Sequence, residues 1–218
     1  GFSEDAEVRA EDVHLCPNGA KFRCLGVEFI SPLAGRHGVS NVLAAIAVAR
    51  AMNLAPETLV DAVRTLAIGK MRGERLERDG ITIINDSYNA NPEAIRSMLE
   101  LLSGTPARRR IAVLGEMLEL GPEAGALHRG IGQFAAEQGI DALLGIRGAA
   151  RLMVDSAIEA GMSDSAAFFF ESPEEAGDFL RSFAHAGDAV LFKGSRGVQV
   201  ERALARAFEA RAFEKGRP

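Results

Sequence analysis

Cysteine, long apolar runs and an excess of positive charge are all scarce in this 218-residue chain, and each scarcity removes a class of protein. Cys16 and Cys24 are its two cysteines, so no disulfide framework holds the fold, and reduced thiols suit an otherwise well-filled sequence better. His14 stands two residues before Cys16, but zinc asks for four ligands at recognisable spacing, and these residues do not supply them. No stretch is long and apolar enough to span a bilayer, and the opening "GFSEDAEVRA" lacks the basic-then-apolar order of a signal peptide. A cytoplasmic protein is the expectation. With a formal charge of −5, the chain has no global attraction for nucleic acid or anionic membrane, so an anionic ligand must meet a local basic site. The first residue is Gly and the first stretch is polar, from which we expect a piece of a longer protein.

What is present is a 47% hydrophobic chain, enough for one large core or two modest ones at roughly 100–200 residues per domain. Between residues 6 and 34, "AEVRAEDVHL" and "AKFRCLGVEFI" read as strands or a hairpin, with Asn18-Gly19 as turn chemistry. "VSNVLAAIAVARAM" places Val42, Ala45, Ile46 and Ala49 at helical spacing and ends at Asn53. "APETLVDAVRTL" predicts a second helix, with Pro56 in the first turn and Glu57 near the positive end of its dipole. Beyond residue 70 the grammar becomes a strict alternation. Strands are predicted at "ITIIND", "RIAVLG", "DALLGI", "AAFFF" and "DAVLFK", and helices at about 92–103, 123–138, 148–160, 173–184 and 196–212. Apolar strands joined by helices imply a parallel sheet covered on both faces, an α/β doubly wound domain whose boundary lies near "GKMRGE".

In such sheets ligands gather beyond the carboxyl ends of the strands. "INDSYNANP" sits at one of those ends. Asp86 can accept from ribose hydroxyls or help order a metal-bound water, and Asn89 and Asn91 can hold amide or carboxylate groups; Asn91 also suits an N-cap ahead of Pro92. "LFKGSRG" places Lys193 and Arg196 around Gly194 and Ser195, either a carboxylate or phosphate site or a capped helix with two solvated cations. Glu116 and Glu119 read as solvated loop acids, the "ARRR" run at 107–110 as a solvated edge, and His128 and His185 as ordinary structural histidines. In "GRHGVSN", Asn41 either caps a helix or pairs with a purine edge, while His37 is either a ligand contact or a packed loop residue.

Taken together, "GRHGVSNVLAAIAVA", "MRGERLE", "INDSYNANPEAIRSML", "RRRIAVLGEMLELG", "ALHRGIG" and "VLFKGSRGVQVER" resemble the Mur ligases over about residues 30 to 205. The resemblance implies that residues 1–71 are the strand-and-helix tail of a central ATPase domain and that 72–218 form the Rossmann-like C-terminal domain. It implies ATP as cosubstrate, with Asn41 on adenine, Arg72 on the phosphates, Asp86 on the ribose and His37 in the same motif. It implies substrate contacts at Tyr88, Asn89, Asn91, Lys193, Ser195 and Arg196. The substrates would be UDP-N-acetylmuramoyl-tripeptide and D-alanyl-D-alanine, joined through an acyl phosphate. No nucleic-acid or membrane partner is expected, and a monomer is. The pattern departs in lacking G-x-x-x-x-G-K-[ST], which "AIGKM" does not supply, and the carbamylated lysine with its upstream acids. The Mg2+ ligands are therefore expected mostly outside this chain, which by itself should not ligate. The segment before "GRHGVSN" is also short, and Glu116 stands where an aspartate is common. Two other readings compete: a stand-alone nucleotide- or peptide-binding module, and a receiver-like phosphoacceptor using Asp86, which would need further acids where only Asn85 is adjacent.

Overall fold

The apolar strands that begin at Ile81 pair with one another in an order dictated by the helices between them. The computed structural model describes residues 1–16, 19–67 and 69–209, and the chain divides into two compact units, Gly1–Gly69 and Lys70–Pro218.

In the first unit β1 (Glu11–Cys16), β2 (Gly19–Cys24) and β3 (Val27–Ser31) form a three-stranded antiparallel sheet, one strand more than a hairpin. Leu25 and Gly26, with φ of 51° and 80°, make the two-residue primed turn that matches strand twist between β2 and β3. The turn expected at Asn18 lies outside the described residues. Helix α1 (Gly35–Ala51) lays Val39, Val42, Leu43 and Ile46 on Phe22 and Phe29, whose rings stack at 5.7 Å. Ala45 faces solvent instead. The helix begins at Gly35, ahead of the expected start, because "GRHG" takes the first turn after an extended Ala34. It ends past Met52 at Asn53, left-handed at φ 60°. The expected second helix is a 3-10 turn, Pro56–Leu59, running into α2 (Val60–Arg64), with Pro56 leading as its fixed φ allows.

The second unit runs β4 (Glu74–Arg78), β5 (Ile81–Asp86), α3 (Pro92–Ser103), β6 (Arg110–Gly115), α4 (Ala124–Glu137), β7 (Ala142–Ile146), α5 (Ala150–Glu159), β8 (Ala167–Phe170), α6 (Pro173–Phe183), β9 (Ala189–Lys193) and α7 (Glu201–Leu204). Its six-stranded sheet has the order β4-β5-β9-β6-β7-β8. Neighbours are parallel except β4 against β5. The chain steps in one direction from β5 through β6 and β7 to β8, then returns to place β9 between β5 and β6. Right-handed crossovers in one direction put their helices on one face, and the reversal puts the later ones on the other. So Ile84, Ala112, Leu114 and Leu191 pack under α3, α4 and α5, while Ile83, Ile111, Val113, Val190 and Phe192 pack under α6 and α7. Every second residue of a strand serves one core, which is why these strands read as continuous apolar runs.

Strand β4 was not among the expected strands. Its charged "ERLER" suits an exposed edge, where charge deters pairing with another chain. Asp79 and Gly80, with φ of 51° and 76°, close it onto β5. The helix expected at 196–212 is interrupted. A 3-10 turn, Arg196–Val198, stops at left-handed Gln199 (φ 58°, ψ 49°), and α7 passes into a π-turn, Ala205–Glu209. Residues 210–212 lie outside the described residues.

Candidate functional site at the carboxyl ends of β5 and β9

β5 and β9 are adjacent, yet α3 and α7, which follow them, lie on opposite faces, so their carboxyl ends form the switch point where a doubly wound sheet opens a crevice. Asp86 and Lys193 stand directly opposite each other there. Both side chains point toward the α3 face, in step with Ile84 and Leu191, and are 9% and 4% exposed. The Lys193 ammonium donates to Asp86 Oδ2 and, at 3.0 Å, to the carbonyl of Asn89. Buried charges persist only when paired and hydrogen-bonded, so this lysine both neutralises Asp86 and fixes the loop that follows it.

The rest of "INDSYNANP" is arranged around that pair. Asn85 Oδ1 accepts from the Ser87 hydroxyl at 2.6 Å and its backbone N–H at 3.4 Å, an Asx turn, while Asn85 Nδ2 donates to Glu74 on β4 at 3.3 Å. The Tyr88 N–H donates to the Met71 carbonyl at 3.1 Å, and the Arg72 guanidinium lies over the Tyr88 ring at 4.0 Å. Tyr88 and Asn89 are exposed. Asn91 caps α3, accepting from the Ala94 N–H at 2.8 Å ahead of Pro92.

The "KGSRG" loop is tied to the same place. Ser195 is buried; its hydroxyl accepts from the Leu118 N–H at 2.9 Å and donates to the Ala90 carbonyl at 3.5 Å. It makes no capping bond to the turn that follows, so the expected hydroxyl cap is spent on linking three strand-end loops. A Cβ on Gly194 would stand 2.4 Å from Val200 Cγ2 and 3.0 Å from the Gly115 Cα, so only glycine lets β6 and β9 close this tightly. Arg196 is held by Glu201 at 2.5 Å and approaches the Met71 sulfur at 3.8 Å. In the first unit, His37 and Asn41 lie four residues apart on α1, His37 half-buried in its first turn and Asn41 exposed. Asn41 therefore caps nothing.

Three groups read from sequence as ordinary have definite tasks. Glu116 is no solvated acid: its carboxylate accepts the Ala149 N–H at 2.9 Å at the start of α5 and lies where a Cβ on Gly148 (φ 50°) would come within 2.3 Å. His128 is buried in α4; Nε2 accepts the Met117 N–H at 2.9 Å and Nδ1 donates to the Ala124 carbonyl at 2.6 Å, which fixes a neutral ring as a strut for the β6 loop. Arg109, expected on a solvated edge, forms a two-pronged pair with buried Asp188 at 2.6 and 3.1 Å, and this hydrogen bonding raises its pKa above the ordinary arginine value. Glu74 was missed because β4 was missed; the Asp79-Gly80 pair was the available signal. Among the described residues no three His, Cys, Asp or Glu side chains cluster as metal ligands.

A family model described as "Mur ligase, glutamate ligase domain" matches residues 71–196. The chain is 29% identical over 205 residues to UDP-N-acetylmuramoyl-tripeptide--D-alanyl-D-alanine ligase of Bacillus subtilis, covering 92% of this chain and 45% of that protein. It is 33% identical over 188 residues to the Synechocystis enzyme of the same name, covering 86% and 40%. In three dimensions it superposes on MurF from Acinetobacter baumannii with a TM-score of 0.82 at 26% identity, covering 95% of this chain and 46% of that one. The chain thus spans less than half the length of each of these relatives.

Proposed function

Because this chain belongs to the Mur ligase family, we propose that it is the C-terminal part of an ATP-dependent amide-forming ligase that adds D-alanyl-D-alanine to UDP-N-acetylmuramoyl-tripeptide during peptidoglycan precursor synthesis. The observation that carries this reading is that the matched span, residues 71–196, holds the whole cluster at the ends of β5 and β9. In the reaction a tripeptide carboxylate takes the γ-phosphoryl group of ATP. The dipeptide amine then attacks the acyl carbon: a C–N bond forms, the C–O bond to phosphate breaks, and inorganic phosphate and a proton leave.

The residues here suit positioning and exclusion of water rather than covalent chemistry. Arg72 is exposed, makes no ion pair among the described residues, and fits an ATP phosphate. In the first unit, Asn41 and His37 are the residues that the family resemblance assigns to the adenine; in the second, Asp86, one oxygen held by Lys193, keeps its other oxygen as a candidate acceptor for a ribose hydroxyl. Tyr88, Asn89, Asn91 and Arg196 form the exposed rim for the peptide ends, and Lys193 and Ser195 brace it from within. Magnesium would spread charge on the transferring phosphoryl group, and the missing G-x-x-x-x-G-K-[ST] motif supports a reading in which most of its ligands lie outside this chain.

Phosphate release by the full-length protein tests this. It should require ATP, UDP-N-acetylmuramoyl-tripeptide and D-alanyl-D-alanine together. Asn89→Ala should raise the dipeptide KM about ten-fold or more, the loss of a hydrogen bond to a charged end. Release that does not depend on the dipeptide would refute the reading.

A further inference from the structure

We propose that Tyr88 is a positioning residue for Arg72: its ring is the platform that holds the guanidinium ready for a phosphoryl oxygen. The inference rests on the assignment of Arg72 to the nucleotide phosphates and adds the group that makes that arginine usable. Arg72 sits between two left-handed residues, Met71 (φ 59°) and Gly73 (φ 73°), in a segment that the Tyr88 N–H clips to β5 through the Met71 carbonyl at 3.1 Å. The chain is thus folded back to bring the guanidinium 4.0 Å over the ring of Tyr88, a residue still 43% exposed.

The kind of partner decides the meaning. Arg196, beside the same Met71, is paired with Glu201 at 2.5 Å, which offsets its charge and holds one of its N–H donors. Arg109 also lies over a ring, Phe183 at 4.8 Å, but its charge is met by the two-pronged pair with Asp188 and a further N–H goes to the Phe183 carbonyl. An aromatic face restrains a guanidinium without neutralising it and leaves its N–H donors, which lie in the plane of the guanidinium, open at the edge. Of the three, Arg72 keeps both its charge and its donors for an incoming anion.

Tyr88 is the one tyrosine in a chain without tryptophan, so tyrosine emission reports on this side chain alone. Inorganic pyrophosphate titrated into the 218-residue chain should change that emission saturably, and Arg72→Ala should abolish the response. By calorimetry, Tyr88→Leu should weaken pyrophosphate binding about two- to five-fold, the size of an exposed cation–π contact, and Tyr88→Phe should restore wild-type affinity. Because Tyr88 lies at the surface, both variants should melt like the wild type. Tyr88→Leu binding as tightly as wild type while Arg72→Ala is impaired would overturn the platform alone. So would a Tyr88→Leu chain that loses only its response to D-alanyl-D-alanine. A wild-type chain with no saturable response, or Arg72→Ala binding normally, would overturn the phosphate assignment of Arg72 and the platform with it.

Discussion

Lys193→Met keeps the length and apolar stem of the side chain and removes one charge from a pair whose members are 4% and 9% exposed. The Asp86 carboxylate then stays at the end of β5 without its cation, and the Asn89 carbonyl loses its donor. Stranding one member of a buried pair costs about 3–5 kcal/mol, far more than an exposed ion pair contributes. Against the 5–15 kcal/mol stability usual for a domain, that is a large share. Urea unfolding followed by the emission of Tyr88 reads the unit that contains the pair. At a slope of about 2–3 kcal/mol/M, the midpoint should fall by roughly 1–2.5 M. Adding Asp86→Leu removes the stranded charge and should recover more than about 2 kcal/mol, a coupling that a double-mutant cycle isolates. A Lys193→Met midpoint within about 0.3 M of wild type, with no coupling, would show that Asp86 is solvated and that the loop does not depend on the lysine.

Asn91→Ala removes the cap on the Ala94 N–H and should cost about 1 kcal/mol, lowering Tm by roughly 2–4 °C, while Asn91→Ser should retain most of it; equal melting of all three would refute the cap. Cys16 is exposed and should react promptly with a thiol reagent, whereas burial raises the pKa of the Cys24 thiol, so Cys24 should be modified only on unfolding. Asp178 is held below the ordinary carboxylate range by its hydrogen bond from Arg206. Its contribution is therefore in place at neutral pH and fades as the pH falls through that lowered value, and in Arg206→Ala the carboxyl resonance should titrate in the ordinary range.

The sheet was legible where burial on both faces forces unbroken apolar runs, as in "ITIIND" and "DAVLFK", since no other arrangement covers such strands. α3 was legible to its ends because Asn91, Pro92 and a periodic apolar face agree. β4 was not, since an edge strand carries charge instead of an apolar pattern, and its Asp79-Gly80 turn was passed over. Nor was the break at Gln199, an exposed non-glycine residue left-handed between buried Val198 and Val200. At the site, the sequence marked Asp86 and Lys193 separately, but their pairing depends on β9 inserting beside β5, a contact 107 residues apart in the chain. The roles of Glu116 and His128 are equally non-local: a carboxylate on one strand end caps a helix after the next strand, and a helical histidine holds a preceding loop.

Backbone amide NMR of the chain, titrated with D-alanyl-D-alanine and separately with ADP, tests the central claim most directly. Shifts should concentrate at residues 86–91 and 193–196 for the dipeptide and, within the second unit, at Arg72 and Asp86 for the nucleotide. Shifts confined to other surfaces, with the ends of β5 and β9 silent to both ligands, would contradict the account.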